Sequence, residues 1–260
     1  MNLHYQEYGD TSAPLMVFLH GGGVSGWMWD KQVHYFSHFH CLVPDLPGHG
    51  KSIAIPFSIE NSAERVVNLI EEKSNGKKVI LIGFSLGAQI IVQLLSMKPN
   101  LIDCAIINSA LVRPMTYAMK WIQPTIKLSA PLIKKRWFSK LQAKTLYVSD
   151  NDFEKYYEES SQITADALTR VLEENMSFTI PANFKEVTTN ILVTVGEKEK
   201  SIMKQSAKDL VKANQHAKGV LIPNMGHGLS MARPNFFNHM VETWINEGAI
   251  PEESKKYMEE

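Results

Sequence analysis

Residues Gly83-Phe84-Ser85-Leu86-Gly87 directly follow the apolar run 78–82 and directly precede the apolar, helix-like stretch 88–97. A serine between two glycines where a strand runs into a helix reads as a nucleophile elbow, and few backbones accommodate one. The turn strains the serine, so the residues two before and two after it must lack side chains that would collide. The hydroxyl then projects from the end of a sheet whose strands lead into helices.

Periodicity and chain breakers extend that picture along the chain. Apolar strand-like runs at 3–8, 15–19, 41–43, 79–82, 104–108, 191–195 and 219–222 alternate with helical patterns. Such alternation predicts an α/β fold with a mostly parallel central sheet and helices on both faces. Helices are predicted over 58–73, where Ala63, Val66, Val67 and Ile70 recur at helical spacing behind a Ser58 cap, and over 204–214 and 235–247. Between about 112 and 185 the alternation stops. Pro114, Pro124, Pro131 and Pro181 punctuate helix-like pieces rich in aromatics and methionine. This division predicts a core domain from 1–111 and 186–260 with an inserted helical cap at 112–185. The charged end, 251–260, is expected to fray.

Lysine plus arginine equal aspartate plus glutamate at 27 each, so no global field recruits nucleic acid or an anionic membrane. The N-terminus lacks the basic start and apolar core of a signal peptide, and no apolar run approaches a membrane span. The expectation is a cytoplasmic protein without integral membrane association. Cys41 and Cys104, each in a predicted core strand, are expected to be buried free thiols.

A serine hydroxyl is a poor nucleophile near neutral pH and needs a base within hydrogen-bond reach, oriented by a third group. His227, in Asn224-Met225-Gly226-His227-Gly228, follows the last predicted strand, at the end of the sheet where open α/β proteins collect their sites. For the acid, Glu197 and Glu199 both occupy the loop after strand 191–195; Glu199 is the first choice and Glu197 the alternative. An oxyanion needs backbone N–H donors. Leu86 at the helix N-terminus is one candidate, and Gly22 in the His20-Gly21-Gly22-Gly23 loop is the other.

Four segments in this order carry a resemblance: the His20 to Gly23 loop with Trp29 shortly after, Asp45-Leu46-Pro47-Gly48-His49-Gly50-Lys51-Ser52, the elbow, and Gly226-His227. Together they make the chain similar to the α/β-hydrolases of the capped, lipase- and esterase-like kind. The resemblance implies the order nucleophile, acid, histidine as Ser85, Glu199, His227, with Gly196-Glu197-Lys198-Glu199 standing where the family commonly has Gly-x-x-Asp. It implies a cofactor-independent serine hydrolase acting on an ester or related acyl bond of a small, partly apolar substrate. Thioesters, lactones and carbon–carbon bonds can use similar machinery, and a ligand-sensing protein on the same scaffold is the alternative of a different class. A serine nucleophile counts against the branches of this fold that attack with a carboxylate. No oligomeric state is implied.

Other patterns read as structure. Gly50-Lys51-Ser52 imitates a phosphate-binding loop, but Asp45 occupies the position of its first glycine and would repel phosphate, so the segment reads as a turn near the site. His34 and His38 are one helical turn apart, and with His40 they read as a solvated or amphipathic helix face rather than as metal ligands. Residues 113–149 carry basic side chains and no acid, whereas 150–174 are rich in acid, which reads first as two halves packed with complementary charge and otherwise as attraction for an anionic substrate, membrane surface or partner. Trp121, Ile122, Trp137 and Phe138 stand among the basic residues and read either as an apolar pocket wall or as plain helix packing; Trp121 and Trp137 are the first to test.

Overall fold

The computed structural model describes residues 2–251; the charged tail beyond them lies outside the described residues. Seven strands form one sheet in the order β1-β3-β2-β4-β5-β6-β7. They are β1 (Tyr5–Tyr8), β2 (Leu15–Leu19), β3 (His40–Pro44), β4 (Val79–Phe84), β5 (Cys104–Asn108), β6 (Asn190–Gly196) and β7 (Ala217–Ile222). Only β1 runs antiparallel, against β3; the others pair in parallel. The central strands β2, β4 and β5 are buried along their whole length, which is why they read as continuous apolar runs rather than as alternation.

The pleat divides those residues between two cores. Leu15, Val17, Leu19, Leu81 and Val193 face α2 (Ile59–Ser74) and α3 (Leu86–Met97), whereas Met16, Phe18, Ile80, Ile82 and Leu192 face Trp29, Phe237 and Trp244. The latter side carries α1 (Asp30–Tyr35), and α4 (Thr116–Ile133), α5 (Arg136–Thr145), α6 (Phe153–Gln162) and α7 (Ala165–Ser177) follow β5. α8 (Ser201–Ala213), α9 (Leu229–Ala232) and α10 (Pro234–Glu247) complete the chain. Ser58 caps α2 by accepting from the Asn61 N–H at 3.2 Å. Cys41 and Cys104 are buried and free, and burial pushes both thiols up to about 12. No helix among the described residues is long and apolar enough to cross a membrane.

Register sets up the site. Leu19 pairs with Gly83, Gly83 with Ile107, Ile107 with Val193 and Val193 with Gly219, so the strands end along one carboxyl edge. Ser85, Ser109, Glu199 and His227 all follow those ends.

Pro124 and Pro131 do not divide the chain as their residue type predicts; both lie inside α4. A proline inside a helix forfeits one N–H and crowds the carbonyl four residues earlier. Both prolines are exposed here, where water can serve the orphaned carbonyls.

Candidate active site

The elbow has the strain its sequence demands. Ser85 takes φ 53 and ψ −109, and its N–H donates to the Asn108 carbonyl at 2.8 Å. A Cβ on Gly83 would come within 2.7 Å of the Gly87 carbonyl oxygen, and one on Gly87 within 2.3 Å of that of Leu19. Strained serine conformations of this kind cost about 1–3 kcal/mol and persist only where the surroundings hold them. Here β4, β5 and α3 do so.

His227 Nε2 lies 3.0 Å from Ser85 Oγ, and its Nδ1 lies 2.7 Å from Glu199 Oε2. An ionised carboxylate only accepts, so Nδ1 carries the ring proton and Nε2 is left to accept from the serine hydroxyl. Phe84 packs against the imidazole with ring centroids 4.9 Å apart. The other oxygen of Glu199 accepts from Ser109 Oγ and from the Gly196 N–H, both at 2.8 Å. Burial favours protonation of Glu199, but the bond to His227 and its charge, the Gly196 amide and the Ser109 hydroxyl together hold the carboxyl below its ordinary value. It is therefore an anion at neutral pH, able to stabilise an imidazolium.

The two glutamates of the loop separate by task. Glu197 Oε2 accepts from the Asn224 N–H at 2.9 Å, at a residue of φ 60, and so supports the turn leading to His227. Glu199 is the one whose carboxylate bonds the ring of His227.

Opposite Ser85, the amide of Leu86 opens α3, where a helix offers it no intrahelical acceptor. Gly22 is its neighbour: a Cβ there would stand 3.7 Å from Leu86 Cδ2. The loop carrying Gly22 is tied by His20, whose Nε2 accepts from the Leu46 N–H at 2.9 Å while Nδ1 donates to the Gly21 carbonyl at 2.8 Å. Burial, with His49 nearby, pushes the His20 imidazole well below its ordinary value, and burial does the same to His49. Asp45 accepts from the Gly26 and Lys51 amides and bonds His4, so its segment is a turn.

Ser85, Leu86 and Gly22 open into a cavity of about 310 Å³. Helices α5, α6 and α7 and their connections supply its apolar wall through Leu146, Tyr156, Ile163, Leu168, Val171 and Leu172. Its polar lining, Gln142, Thr145, Asn175 and His49, is uncharged. Among the described residues no group of three or more His, Cys, Asp or Glu is placed to hold a metal ion.

A profile described as the alpha/beta hydrolase family matches residues 16–239. The chain belongs to the alpha/beta hydrolase family. Among curated relatives, it is 22% identical over 253 residues to (E)-2-((N-methylformamido)methylene)succinate hydrolase of Acinetobacter baylyi, covering 93% of each chain. Over 127 residues it is 28% identical to lipase LipV of Mycobacterium tuberculosis, which spans 46% of this chain and 48% of the lipase. Among solved structures, the enol-lactonase of Burkholderia xenovorans superposes with a TM-score of 0.79 at 19% identity, over 94% of this chain and 96% of the lactonase. At such identity the superposition establishes the fold.

Within this hydrolase fold the pocket wall does without the two tryptophans. Trp121 and Trp137 do not line the cavity; they are 70% and 64% exposed. Their spacing fits a helix face equally well pointing inward or outward, and both helices bury other residues instead. Sequence reading also missed Ser109, whose φ of 58 aims its hydroxyl at Glu199. A polar Asn108-Ser109 pair ending a core strand was the available signal. Tyr147, of φ 60, was missed too: its hydroxyl would lie 2.5 Å from a Cβ on Gly226, and its ring 2.6 Å from one on Gly228. The glycines flanking His227 thus make room for a side chain from the turn that follows α5.

Proposed function

We propose that the protein is a serine hydrolase that cleaves an ester of a small, partly apolar and uncharged acyl group, with Ser85 as nucleophile, His227 as base and Glu199 as the orienting acid. The observation that carries the reading is the hydrogen-bonded line from Glu199 through His227 to Ser85, ending in a cavity whose lining is apolar or neutral. In this reading His227 Nε2 takes the Ser85 proton as Oγ attacks the carbonyl carbon, and the amides of Leu86 and Gly22 donate to the oxyanion. The imidazolium returns its proton to the departing alkoxide, leaving an acyl-enzyme and an alcohol. Water then attacks, its proton passing to His227, and collapse regenerates Ser85 with release of the acid.

The helices α4–α7 act as a cap that supplies most of the acyl pocket. No cofactor is required, and nucleic acid has no role. Two buried, unpaired cysteines support a reducing, cytoplasmic setting. The enol-lactonase likeness favours lactones as a second substrate class, since the same nucleophile opens a cyclic ester. A panel of nitrophenyl esters, thioesters and lactones, assayed beside fluorophosphonate labelling, tests the reading. Prompt labelling of Ser85 with turnover of neutral short esters is expected; ligand binding without labelling would instead assign the fold to sensing.

A further inference from the structure

Helix α4 is apolar on two opposite sides. Ile122, Ile126 and Ile133 are buried, and α7 is its main packing partner. On the far side stand Tyr117, Trp121, Pro124, Leu128 and Leu132, which recur at helical spacing and include no charged residue. Tyr117 is 86% exposed and Leu128 82%, values that internal packing does not explain. The stripe runs about 22 Å along the helix at 1.5 Å per residue. After the Lys134-Lys135 corner, α5 repeats the arrangement: Trp137 and Leu141 are exposed beside Lys140 and Lys144, while Ser139 and Ala143 are buried.

Charge identifies what such a face fits. The whole chain is neutral, yet residues 113–149 hold basic side chains and no acid. Arg136 pairs with Glu154, Lys140 approaches Asp150 at 3.8 Å, and Arg113 is held by Asp209. These pairs realise only part of the complementary packing that the sequence suggests. Among the described residues Lys120, Lys134, Lys135 and Lys144 have no acidic partner. Lysine is depleted from protein interfaces. Tryptophan and tyrosine with flanking lysines on an amphipathic helix match a bilayer with anionic headgroups, the rings entering the headgroup boundary and the ammonium groups meeting phosphate.

The geometry points to the outward face of α4 and α5 as a docking surface for an anionic lipid bilayer. Helix α5 presents Trp137 and Leu141 outward and Gln142 to the cavity, so docking brings the cavity wall to the lipid interface. The contact is peripheral and does not depend on the chemistry assigned to Ser85.

Sedimentation of the full chain with vesicles tests it, using phosphatidylcholine alone and equal parts phosphatidylcholine and phosphatidylglycerol. Binding to the mixed vesicles is expected, with far weaker binding to the neutral ones, loss at high salt, and no change in Ser85→Ala. Lys134→Gln with Lys135→Gln should weaken binding about fivefold per charge removed. Trp121→Gln with Leu128→Gln should weaken it about tenfold or more. Each double variant should keep the wild-type rate on a short soluble nitrophenyl ester, which shows it is folded. A wild-type chain left in the supernatant with both vesicles overturns the proposal. So does binding that is equal on both vesicles and indifferent to the lysines, or concentration-dependent self-association abolished by Trp121→Gln in a chain that ignores vesicles.

Discussion

Around Ser85 the key polar groups are fixed by atoms of the sheet edge, whereas the helices over it are tied to the core by scattered side-chain bonds. Glu199 is held by the Gly196 amide and Ser109, and the Ser85 amide by Asn108. The helices proposed as a cap attach through Glu159 to Ser25 and Trp27, Glu174 to the Ile59 amide, Asn175 to Gln89, and Tyr147 over Gly226 and Gly228. A strained nucleophile requires rigid surroundings, and a pocket for variable acyl groups does not. In the proposed reading the difference puts the chemistry at the edge and substrate choice in the cap.

The largest effect tests the edge. Ser85→Ala should remain folded and lose about a thousandfold or more in ester turnover, and His227→Ala about as much, because nucleophile and base act together. The double variant should lose little beyond either single one. Losses that multiply would break the idea that the edge works as one unit.

Next, the two glutamates should separate as their bonds do. Glu199→Gln should lower kcat by about a hundredfold or more, since an amide cannot stabilise the imidazolium. Glu197→Gln should cost little in kcat, because Glu197 reaches the Asn224 amide rather than the ring. The reverse ranking, measured by steady-state kinetics, would move the acid to Glu197.

The same contrast governs what the sequence reveals. The strands were legible to within one or two residues at most ends because a parallel strand buried on both faces must be a continuous apolar run, as β4 and β5 are. The edge placement of Ser85 and His227 was legible because close backbone approach leaves glycines as its trace. Glu197 and Glu199 share one loop, so residue type could not divide them; the side-chain paths did. The cap was legible only as helical. With apolar residues on two sides of α4, periodicity cannot say which stripe faces inward; Trp121, and Trp137 on α5, turn out to face outward. Ser109 carries its role in a backbone angle that no short pattern encodes.

Substrate choice then tests the cap. Leu168→Ala and Leu172→Ala enlarge the cavity and should shift the kcat/KM ratio of longer to shorter neutral esters about tenfold. Trp121→Ala and Trp137→Ala, both outside the cavity, should leave that ratio within about twofold. A shift of equal size from the tryptophans would erase the distinction between the cap's two sides.

Acid should act on the two regions in opposite directions. His20 and His49 are held neutral at the edge, whereas 112–185 contain no histidine. In the unfolded chain both titrate near about 6.5, so their contribution is complete above that pH and is lost as pH falls towards their depressed folded values. The slope is at most about 1.4 kcal/mol per pH unit for each. In the cap, burial raises the Glu159 carboxyl, so its contribution is favoured at low pH and is lost as pH rises through its folded value. Urea midpoints measured at pH 7 and pH 5 should therefore fall on acidification, and His20→Gln should flatten the fall. An unchanged slope in that variant would remove His20 from the account.

The smallest effect lies where the two regions touch. On Gly226 an added Cβ would meet the Tyr147 hydroxyl at 2.5 Å, while the next atom, Tyr147 Cζ, stands at 3.6 Å. Gly226→Ala should therefore displace either the tyrosine or the loop holding His227, lowering kcat by about three- to tenfold. Tyr147→Phe removes the one colliding atom and should restore most of the loss in the double variant, while costing little alone. Recovery would show that the cap bears on the histidine loop through this ring. If Gly226→Ala is equally impaired with and without the hydroxyl, the glycine serves the loop backbone itself, and the edge works independently of the helices above it.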